Sequence, residues 1–380
     1  MSLRPRPEVD NLEACPHGGL NQAELKAMGL TPEAVLDFSV CSNPFMPPPG
    51  VKEVFDTIAV NRYPDSEATE FRQCLSQKLG VAPDNILVGN GAVELIRLIA
   101  LTYFRPGDSV LILEPTFGEY QVACQIVGVG VVKQWAREEE NFAPRIEETV
   151  NLIRQRHPRG IFICNPNNPT GQYISRQEIE AVLDACRDSL LIFDEAYITF
   201  VDNAWPSLDL IERDNMIILF SMTKDYGLAG LRLGYAVAHE EIIGALRRVR
   251  PPWNVNIVAQ KAGGAAVTDE NYLKWCKKEI KKSREFLINE LCRVGLPPLP
   301  SRTNFFLIRV GNGKVFRNAL LRHGILVRDC TSFGLPEYVR IVARTIPECQ
   351  RLIATIQTMK AEGELEAIPD TGSRNGGALA

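Results

Sequence analysis

The sequence predicts an α/β fold with a largely parallel sheet, followed by a smaller α+β unit. Between residues 80 and 240, short apolar runs alternate with helix-like stretches. These runs are continuously apolar, as in a parallel sheet that is buried on both faces. After residue 268 a long amphipathic stretch precedes several short strands. The polar motifs follow the apolar runs, at the strand ends where α/β sheets bind ligands.

The alternating region has strands that end near glycine, proline or asparagine, and helices with apolar residues every three or four positions. The helix at 175–188 begins at Ser175 and carries Glu178 three positions later, the pattern of a capping box. In chain order, the first predicted elements are a strand with a glycine turn at 84–91, a helix at 92–104, and a turn with a strand at 105–115. They are followed by a strand that breaks into a Pro/Asn/Gly loop at 159–171, a helix at 175–188, and strands at 189–197 and 215–223.

The C-terminal part has a different pattern. An amphipathic helix at 268–295 comes first, and the elements predicted after it are strands at 304–310, 324–330 and 338–344 and a helix at 348–366. We therefore predict an N-terminal segment at 1–50, a large domain at 51–267, a small domain at 268–366 and a disordered, Gly/Ser/Asp-rich tail at 367–380.

Composition excludes several classes of protein. The 380 residues carry a net charge of −4 without a basic block, so we expect no nucleic-acid partner. Neither a signal-peptide core nor an apolar run of about 18 residues is present, which predicts a cytoplasmic protein without a membrane partner. The ten cysteines are isolated and only four histidines occur, so we expect free thiols and no metal site.

A lysine and an aspartate follow neighbouring apolar runs. Asp194 comes directly after LLIF, and Lys224 ends the run MIILFSMTK. Because a buried charge needs a compensating partner, one interpretation is a structural ion pair between adjacent strands. Other loops favour a second interpretation, in which both side chains belong to a binding site.

Three further motifs indicate a site for a small phosphate. The segment GNGAVE (89–94) places two glycines before a helix, where free N–H groups suit an anion, although a packing turn is the alternative. Ser221 and Arg232 flank the lysine with a hydroxyl and a guanidinium. The loop NPNNPTG (165–171) adds amide side chains. A phosphate, an acid and a lysine together match pyridoxal 5′-phosphate, whose aldehyde forms a Schiff base with lysine.

The motifs NPNNPTG, DEAY and SMTKDYGLAGLRLGY occur in this order. With them, the chain resembles the fold-type I, aspartate-aminotransferase-like enzymes over nearly its whole length. The resemblance implies a large pyridoxal-phosphate-binding domain with a mainly parallel seven-stranded sheet flanked by helices, and a small α+β domain. It also implies that residues 1–50 join the small domain and the substrate entrance, and that the protein is a homodimer with shared active sites.

The resemblance assigns cofactor roles to individual residues. Lys224 would form the Schiff base and Asp194 would pair with the pyridine nitrogen. Tyr197 and Asn168 would hydrogen-bond the phenolic oxygen of the ring. The groups that would hold the cofactor phosphate are Ser221, Arg232 and the backbone of Gly91 and Ala92.

Two aromatic residues match family positions less specifically. Phe117, in EPTFGEY, corresponds to the ring that stacks on the pyridine; the alternative is core packing. Tyr63, in RYPD, corresponds to a tyrosine that reaches the phosphate of the neighbouring subunit; the alternative is an exposed loop residue.

On the substrate side, the resemblance implies that Arg340 holds the α-carboxylate, where an arginine in an apolar strand could otherwise be ion-paired. Within the family, the chain is most similar to the histidinol-phosphate aminotransferase group. Four segments also resemble the L-threonine O-3-phosphate decarboxylase of cobalamin biosynthesis, namely HGGLN (17–21), LDFSVCSNPFMPP (36–48), ILVRDCTSFGL (325–335) and VRIVART (339–345).

These segments add cations that could bind a second anion on the substrate. Arg328, Arg344 and His17 are candidates for its phosphate. Alternatively, Arg328 pairs with Asp329 or a surface acid, and Arg344 caps the following helix. Asn43 is expected near the substrate carboxylate, or it forms an Asx turn.

The reaction predicted from these features is decarboxylation of L-threonine O-3-phosphate to (R)-1-aminopropan-2-yl phosphate. The alternative is a histidinol-phosphate-type aminotransferase that uses 2-oxoglutarate and glutamate. Both routes need the same core residues and differ in which Cα bond stands perpendicular to the cofactor ring. A catalytically idle binding module is a third hypothesis, and the joint presence of Lys224, Asp194 and Arg232 argues against it.

Overall fold

The computed structural model describes residues 3–10, 12 and 14–365. The predicted tail at 367–380 lies outside the described residues. The strands of the described chain are β1 (Leu36–Asp37), β2 (Ile86–Gly89), β3 (Ser109–Glu114), β4 (Gly130–Trp135), β5 (Gly160–Cys164), β6 (Leu190–Asp194), β7 (Met216–Ser221), β8 (Gly234–Ala238), β9 (Phe305–Arg309), β10 (Ile325–Leu326), β11 (Arg328–Asp329) and β12 (Tyr338–Val342).

Helices surround these strands along the described chain. They are α1 (Pro7–Asp10), α2 (Gln22–Ala27), α3 (Pro49–Phe55), α4 (Thr69–Leu79), α5 (Gly91–Tyr103), α6 (Glu119–Ile126), α7 (Ile146–Arg156), α8 (Arg176–Ala185), α9 (Met222–Asp225), α10 (Glu240–Val249), α11 (Ile257–Thr268), α12 (Glu270–Arg293), α13 (Gly313–Arg322) and α14 (Ile346–Ala361). No helix of the described residues has both the length and the apolar character that crossing a membrane requires.

The central sheet has seven strands in the order β2-β8-β7-β6-β5-β3-β4. Every pairing within it is parallel except those of β8, which runs antiparallel to both β2 and β7. The sheet and its flanking helices confirm the predicted α/β class and the seven-stranded, mainly parallel sheet.

Continuous apolar strands allow this sheet to be buried on both sides. In β6, Leu191 and Phe193 join one buried cluster while Ile192 joins another. Successive side chains of a strand point to opposite faces, so each face of the sheet acquires its own apolar layer. The same alternation occurs in β5, where Ile161 and Ile163 lie opposite Phe162.

The ends of α8 agree closely with the sequence pattern. The Ser175 hydroxyl accepts from the backbone N–H of Glu178, and the Glu178 carboxylate accepts from the backbone N–H of Ser175 at 2.9 Å. This reciprocal capping box satisfies two donors that the first helical turn would otherwise leave unpaired.

Two smaller sheets differ in detail from the prediction. The expected strand at 324–330 is split, because β10 pairs with β1 in parallel and β11 pairs with β12 in antiparallel fashion. Together β11, β12 and β9 form a three-stranded sheet. The pairing of β1 with β10 connects the N-terminal segment to this region, whereas the domain boundaries stay a prediction.

The sequence analysis also missed β4 at the sheet edge. Its six residues carry a mixture of polar and apolar side chains, and only Gln134 among them is buried. An edge strand with one solvated side lacks the apolar run by which the central strands were found.

Glu195, directly after β6, is an acid enclosed by the core. It is 2% exposed, and its Oε2 accepts a hydrogen bond of 2.7 Å from the Ser207 hydroxyl. Its Oε1 has no hydrogen-bond partner within the part of the chain that the structure describes. Burial raises the pKa of Glu195 to about 8, with Ser207 lowering it and the Asp194 charge raising it further.

We therefore predict a pH-dependent contribution of Glu195 to stability. In the folded chain the Glu195 carboxyl keeps its proton up to about pH 8, whereas a glutamate in the unfolded chain loses it at about pH 4.3. The folded state binds more protons between these values, so the free energy of unfolding falls as pH rises, by up to roughly 1.4 kcal/mol per unit. Urea unfolding at pH 5 to 8 should show a shallower decline for Glu195→Gln; parallel profiles for the two proteins would contradict the assignment.

Candidate active site

The ends of several strands meet at one edge of the central sheet. Gly234, the first residue of β8, is paired with Gly89 at the end of β2 and with Ser221 at the end of β7. Because β8 runs antiparallel to its neighbours, it begins at the edge where they end. Arg232, two residues before β8, is thereby brought beside the N-terminus of α5.

A cavity of about 310 Å³ lies at this edge. Its wall combines residues from the central sheet, the three-stranded sheet and the N-terminal segment. The residues predicted from the sequence that line it are His17, Ala92, Phe117, Asn168, Asp194, Tyr197, Ser221, Lys224, Arg232, Arg328 and Arg340. The fold thus brings most of the predicted site residues into one chamber.

Asp194 is the last residue of β6 and is only 4% exposed. Its Oδ2 accepts a hydrogen bond of 2.6 Å from the Tyr120 hydroxyl, and its Oδ1 accepts one of 2.9 Å from the backbone N–H of Ala196. Burial raises the pKa of the carboxyl, while Tyr120, Ala196 and the Lys224 charge lower it. A buried acid at a cavity wall is placed to pair with a basic group of a bound molecule.

Lys224 lies in the short helix α9 and faces the same cavity. Its ammonium lies 5.9 Å from the centre of the Tyr197 ring, and none of the ion pairs among the described residues joins it to Asp194. Burial lowers the pKa of Lys224; Cys41 opposes this shift and the Arg340 charge adds to it. The structural ion pair considered from the sequence is therefore absent.

An anion cradle surrounds the start of α5. Gly91 has φ of +75°, and a Cβ there would lie 2.9 Å from Nη2 of Arg232. A Cβ at Gly234 would lie 2.8 Å from the backbone N of Ala92. The two glycines therefore let a guanidinium and helical N–H groups approach one small volume.

Ser221 and Arg232 complete this cradle. The hydroxyls of Ser221 and Thr223 are 2.7 Å apart, and both residues line the cavity. Arg232 has φ of +56°, an uncommon conformation for a residue with a side chain, and it donates to the carbonyl of Ala229 at 3.0 Å. Such local strain occurs at binding sites where the surrounding fold imposes it.

Three predicted ring-binding residues line the chamber between the acid and the small sheet. The centre of the Phe117 ring lies 5.6 Å from the centre of the Tyr120 ring and 5.9 Å from that of the His17 ring. Tyr197 contacts Phe305 edge to face at 5.0 Å. The Asn168 side-chain oxygen accepts from Nη1 of Arg340.

Arg340, in the middle of β12, is 5% exposed and reaches across the cavity. Besides Asn168, it donates from Nη2 to the carbonyl of Ser39 at 2.7 Å, and its buried Nε has no hydrogen-bond partner among the described residues. Both terminal nitrogens are therefore engaged, and a carboxylate that binds this guanidinium would replace or share one of these contacts.

Arg328 and His17 meet at the cavity mouth. Arg328 donates to the carbonyls of Pro16 at 2.7 Å and His17 at 3.3 Å, and to the Ser332 hydroxyl at 2.6 Å. It does not form the side-chain ion pair with Asp329 that was its alternative reading. The His17 Nε2 lies 3.0 Å from Oε1 of Glu119. Both residues remain candidates for binding a substrate phosphate.

Four predicted residues do not line the cavity; one is Gly91, whose backbone belongs to the cradle, and the others are Arg344, Asn43 and Tyr63. Arg344 contacts Glu348 at 2.6 Å and the carbonyl of Asp37 at 3.0 Å, which matches the alternative that it supports the helix that follows. The Asn43 amide donates to the carbonyl of Asp225 at 2.8 Å, and its oxygen accepts from Phe45 in an Asx turn. Tyr63 is 79% exposed, so this chain alone does not explain its role.

Several cavity residues were absent from the prediction. Tyr120, which holds Asp194, comes three positions after Phe117 in EPTFGEY and lies in the first turn of α6, so its nearness in the sequence was an available signal. Thr223 is separated from Ser221 by one residue. Cys41 also lines the chamber and is 1% exposed, and no local pattern distinguishes it from a core cysteine.

The chamber fits the three polar features of pyridoxal 5′-phosphate. The cradle at Gly91 and Arg232 suits a phosphate, and Asp194 suits a protonated ring nitrogen. Lys224 supplies an amine that forms no ion pair with an acid of the described residues. The opening at Gly91, which a Cβ would fill, is the feature most specific to a bound anion.

Comparisons with known proteins assign a family to this architecture. The family model described as aminotransferase class I and II matches residues 33–356. Histidinol-phosphate aminotransferase 2 from Carboxydothermus hydrogenoformans is 36% identical over 311 residues, covering 80% of this chain and 84% of that protein. The histidinol-phosphate aminotransferase of Methanocaldococcus jannaschii is 33% identical over 361 residues, covering 93% and 96%.

Solved structures agree with the sequence comparisons. The histidinol-phosphate aminotransferase from Clostridium acetobutylicum superimposes with a TM-score of 0.80 at 28% identity, covering 86% of this chain and 100% of that chain. The L-threonine-O-3-phosphate decarboxylase from Porphyromonas gingivalis has a TM-score of 0.74 at 27% identity, covering 85% and 99%.

These findings correct the predicted reaction. Relatives at 33–37% identity are named histidinol-phosphate aminotransferases, whereas the decarboxylase is a more distant structural neighbour. The expectation of a decarboxylating lyase of cobalamin biosynthesis was therefore wrong. Of the arginines in the four segments that suggested it, Arg344 does not line the cavity and contacts Glu348.

The family match confirms the predicted cofactor, pyridoxal 5′-phosphate. It also agrees with the sheet topology and with the position of the cavity at the carboxyl ends of the strands. The chain belongs to the class I and II aminotransferase family.

Proposed function

We propose that this protein is a pyridoxal-phosphate-dependent aminotransferase that acts on a phosphorylated amino substrate of the histidinol-phosphate type. The acceptor in this proposal is 2-oxoglutarate, which becomes glutamate. The names of the relatives support the proposal, and the arrangement of cations in the cavity supports it independently.

The observation that carries the proposal is the presence of two arginines on one wall of the chamber, apart from the phosphate cradle. Arg328 and Arg340 are paired across β11 and β12, and both line the cavity. Burial lowers the pKa of Arg328, and the Arg340 charge lowers it further. A substrate phosphate near Arg328 would relieve this repulsion, and a carboxylate of the acceptor would bind Arg340.

The chemistry is divided among few residues. Bound pyridoxal phosphate supplies an electron sink for the substrate Cα. Lys224, whose ammonium pKa is lowered by burial, is positioned to accept and return a proton at the cavity centre. Asp194, oriented by Tyr120 and Ala196, provides negative charge to a protonated ring nitrogen. Arg340 positions the substrate that enters the chamber.

The assay that tests the proposal measures glutamate formed from 2-oxoglutarate with histidinol phosphate as donor. Histidinol without its phosphate is the matched comparison. Loss of about two charge-assisted hydrogen bonds, each worth roughly 1.5–3 kcal/mol, should lower kcat/KM by at least roughly a hundredfold. Equal kcat/KM for the two donors would contradict a phosphate-binding site, and absence of glutamate would contradict transamination.

Lys224→Ala tests the proton-transfer role. Removing the amine should lower turnover by roughly 10²- to 10⁴-fold or more, since no second described lysine lines the cavity. The variant should retain the unfolding transition of the parent protein, measured by circular dichroism. Multi-turnover activity close to that of the parent would refute the assignment.

Two arginine substitutions distinguish the proposed carboxylate-binding role of Arg340 from the contact that Arg344 makes with the following helix. Arg340→Lys loses the planar fork and should reduce kcat/KM for 2-oxoglutarate by roughly a hundredfold, about 3 kcal/mol. Arg344→Lys, whose parent side chain binds Glu348, should change stability instead and leave kcat/KM within about twofold. The reverse pattern would exchange the roles of the two residues.

We also propose a homodimer in which Tyr63 serves the site of the neighbouring subunit. The Tyr63 ring stacks on Trp253 at 4.5 Å, and both are exposed, at 79% and 47%. Light scattering of the holoenzyme should give twice the mass of one chain. A stable, active species with the mass of one chain would contradict this arrangement.

A further inference from the structure

Three side chains of metal-ligand type meet at the mouth of the cavity. They are Cys15 and His17 of the N-terminal segment and Glu119, the first residue of α6. One ligand atom from each lies within 4.8 Å of the others. The closest contact, 3.0 Å, joins Nε2 of His17 to Oε1 of Glu119.

The backbone around Gly118 permits this convergence. A Cβ on Gly118 would lie 2.5 Å from the Cys15 sulfur, so a larger residue would displace the thiol from Glu119. Among the described residues, Cys15 donates a weak side-chain hydrogen bond of 3.7 Å to the carbonyl of Pro16, and its sulfur also interacts with the backbone of Gly118. The thiol is therefore held beside the carboxylate by close packing and by backbone contacts.

The neighbouring charges leave one face of the carboxylate available. Arg97 contacts Oε2 of Glu119 at 3.3 Å, whereas Oε1 is turned towards His17. Arg328 is also near, but its described hydrogen bonds go to backbone carbonyls and to Ser332. These cations oppose a metal ion electrostatically, and they also fix the orientation of the carboxylate and of the N-terminal segment.

We propose that Cys15, His17 and Glu119 bind a thiophilic divalent cation of the zinc class. A thiolate, an imidazole and a carboxylate are the ligands that Zn²⁺ takes, and three protein ligands leave a fourth position for water or for a substrate group. Tetrahedral zinc ligands lie about 3.5 Å apart, so shifts of about 1 Å complete the site. Ca²⁺ and Mg²⁺ prefer oxygen ligands and do not suit this set.

Occupancy of this site would control access to the chamber. Cys15, Pro16, His17 and Gly18 all line the cavity, so a metal that joins them to α6 holds the N-terminal segment closed over it. The His17 side chain is 53% exposed, and binding of the metal would restrict its motion. The cation therefore acts as a reversible inhibitor of the enzyme.

The test uses the full chain loaded with pyridoxal phosphate and titrated with Zn²⁺ against a chromogenic chelator, under reducing conditions. One Zn²⁺ per chain is expected, with a Kd at least about tenfold weaker in Cys15→Ser and in Glu119→Gln. Cys292→Ser removes the exposed thiol of α12 and should bind Zn²⁺ as the parent does. Ca²⁺ should neither bind nor compete.

Turnover provides the second measurement, expressed relative to the metal-free rate of each variant. Zn²⁺ should inhibit the parent and Cys292→Ser over the concentration range in which it binds, and EDTA should restore both. Cys15→Ser should need at least about tenfold more Zn²⁺ for the same inhibition. A Kd unchanged in both Cys15→Ser and Glu119→Gln, or an absence of stoichiometric binding to the parent, would overturn the proposal.

Discussion

The site depends on how the buried carboxylate of Asp194 is satisfied. Two donors, the Tyr120 hydroxyl and the Ala196 N–H, hold it in place, so it does not require Lys224 as a counter-ion. If the lysine neutralised the aspartate directly, its amine would be withdrawn from the chamber. The division of roles keeps an acid at one wall and an amine at another, each with a perturbed pKa and each available to a bound molecule.

The sequence was sufficient for the parts of the fold that have a local pattern. Continuous apolar runs located the central strands, and Ser175 with Glu178 located the start of α8. The edge strand β4 escaped because its solvated side chains interrupt the apolar pattern. The break between β10 and β11 escaped because each half pairs with a different partner, and pairing is a property of the whole fold.

The same distinction applies to the site. Motifs identified Lys224, Asp194 and Arg232 because each follows or precedes a strand at a fixed spacing. Of the two alternatives left open for Arg344, the structure shows the contact with the following helix, because its guanidinium binds Glu348 and does not line the cavity. They gave no indication that Cys15, His17 and Glu119 would meet, since Glu119 comes from a different part of the chain. The isolated cysteines of the sequence predicted that no metal site is present. The proposed metal site depends instead on side chains that only the fold brings together.

The reversed direction of β8 has a consequence for the order of folding. The phosphate cradle exists only after Gly89 of β2 and Ser221 of β7 have both paired with Gly234; β7 and β8 are consecutive strands, but β2 is far from both in the chain. Such non-local pairings form late, because the closure of long loops precedes any gain from contact. A ligand that binds only the finished cradle stabilises the completed sheet and not its precursors. Binding of the cofactor is therefore expected to favour chains whose central sheet is fully assembled over chains whose sheet is incomplete.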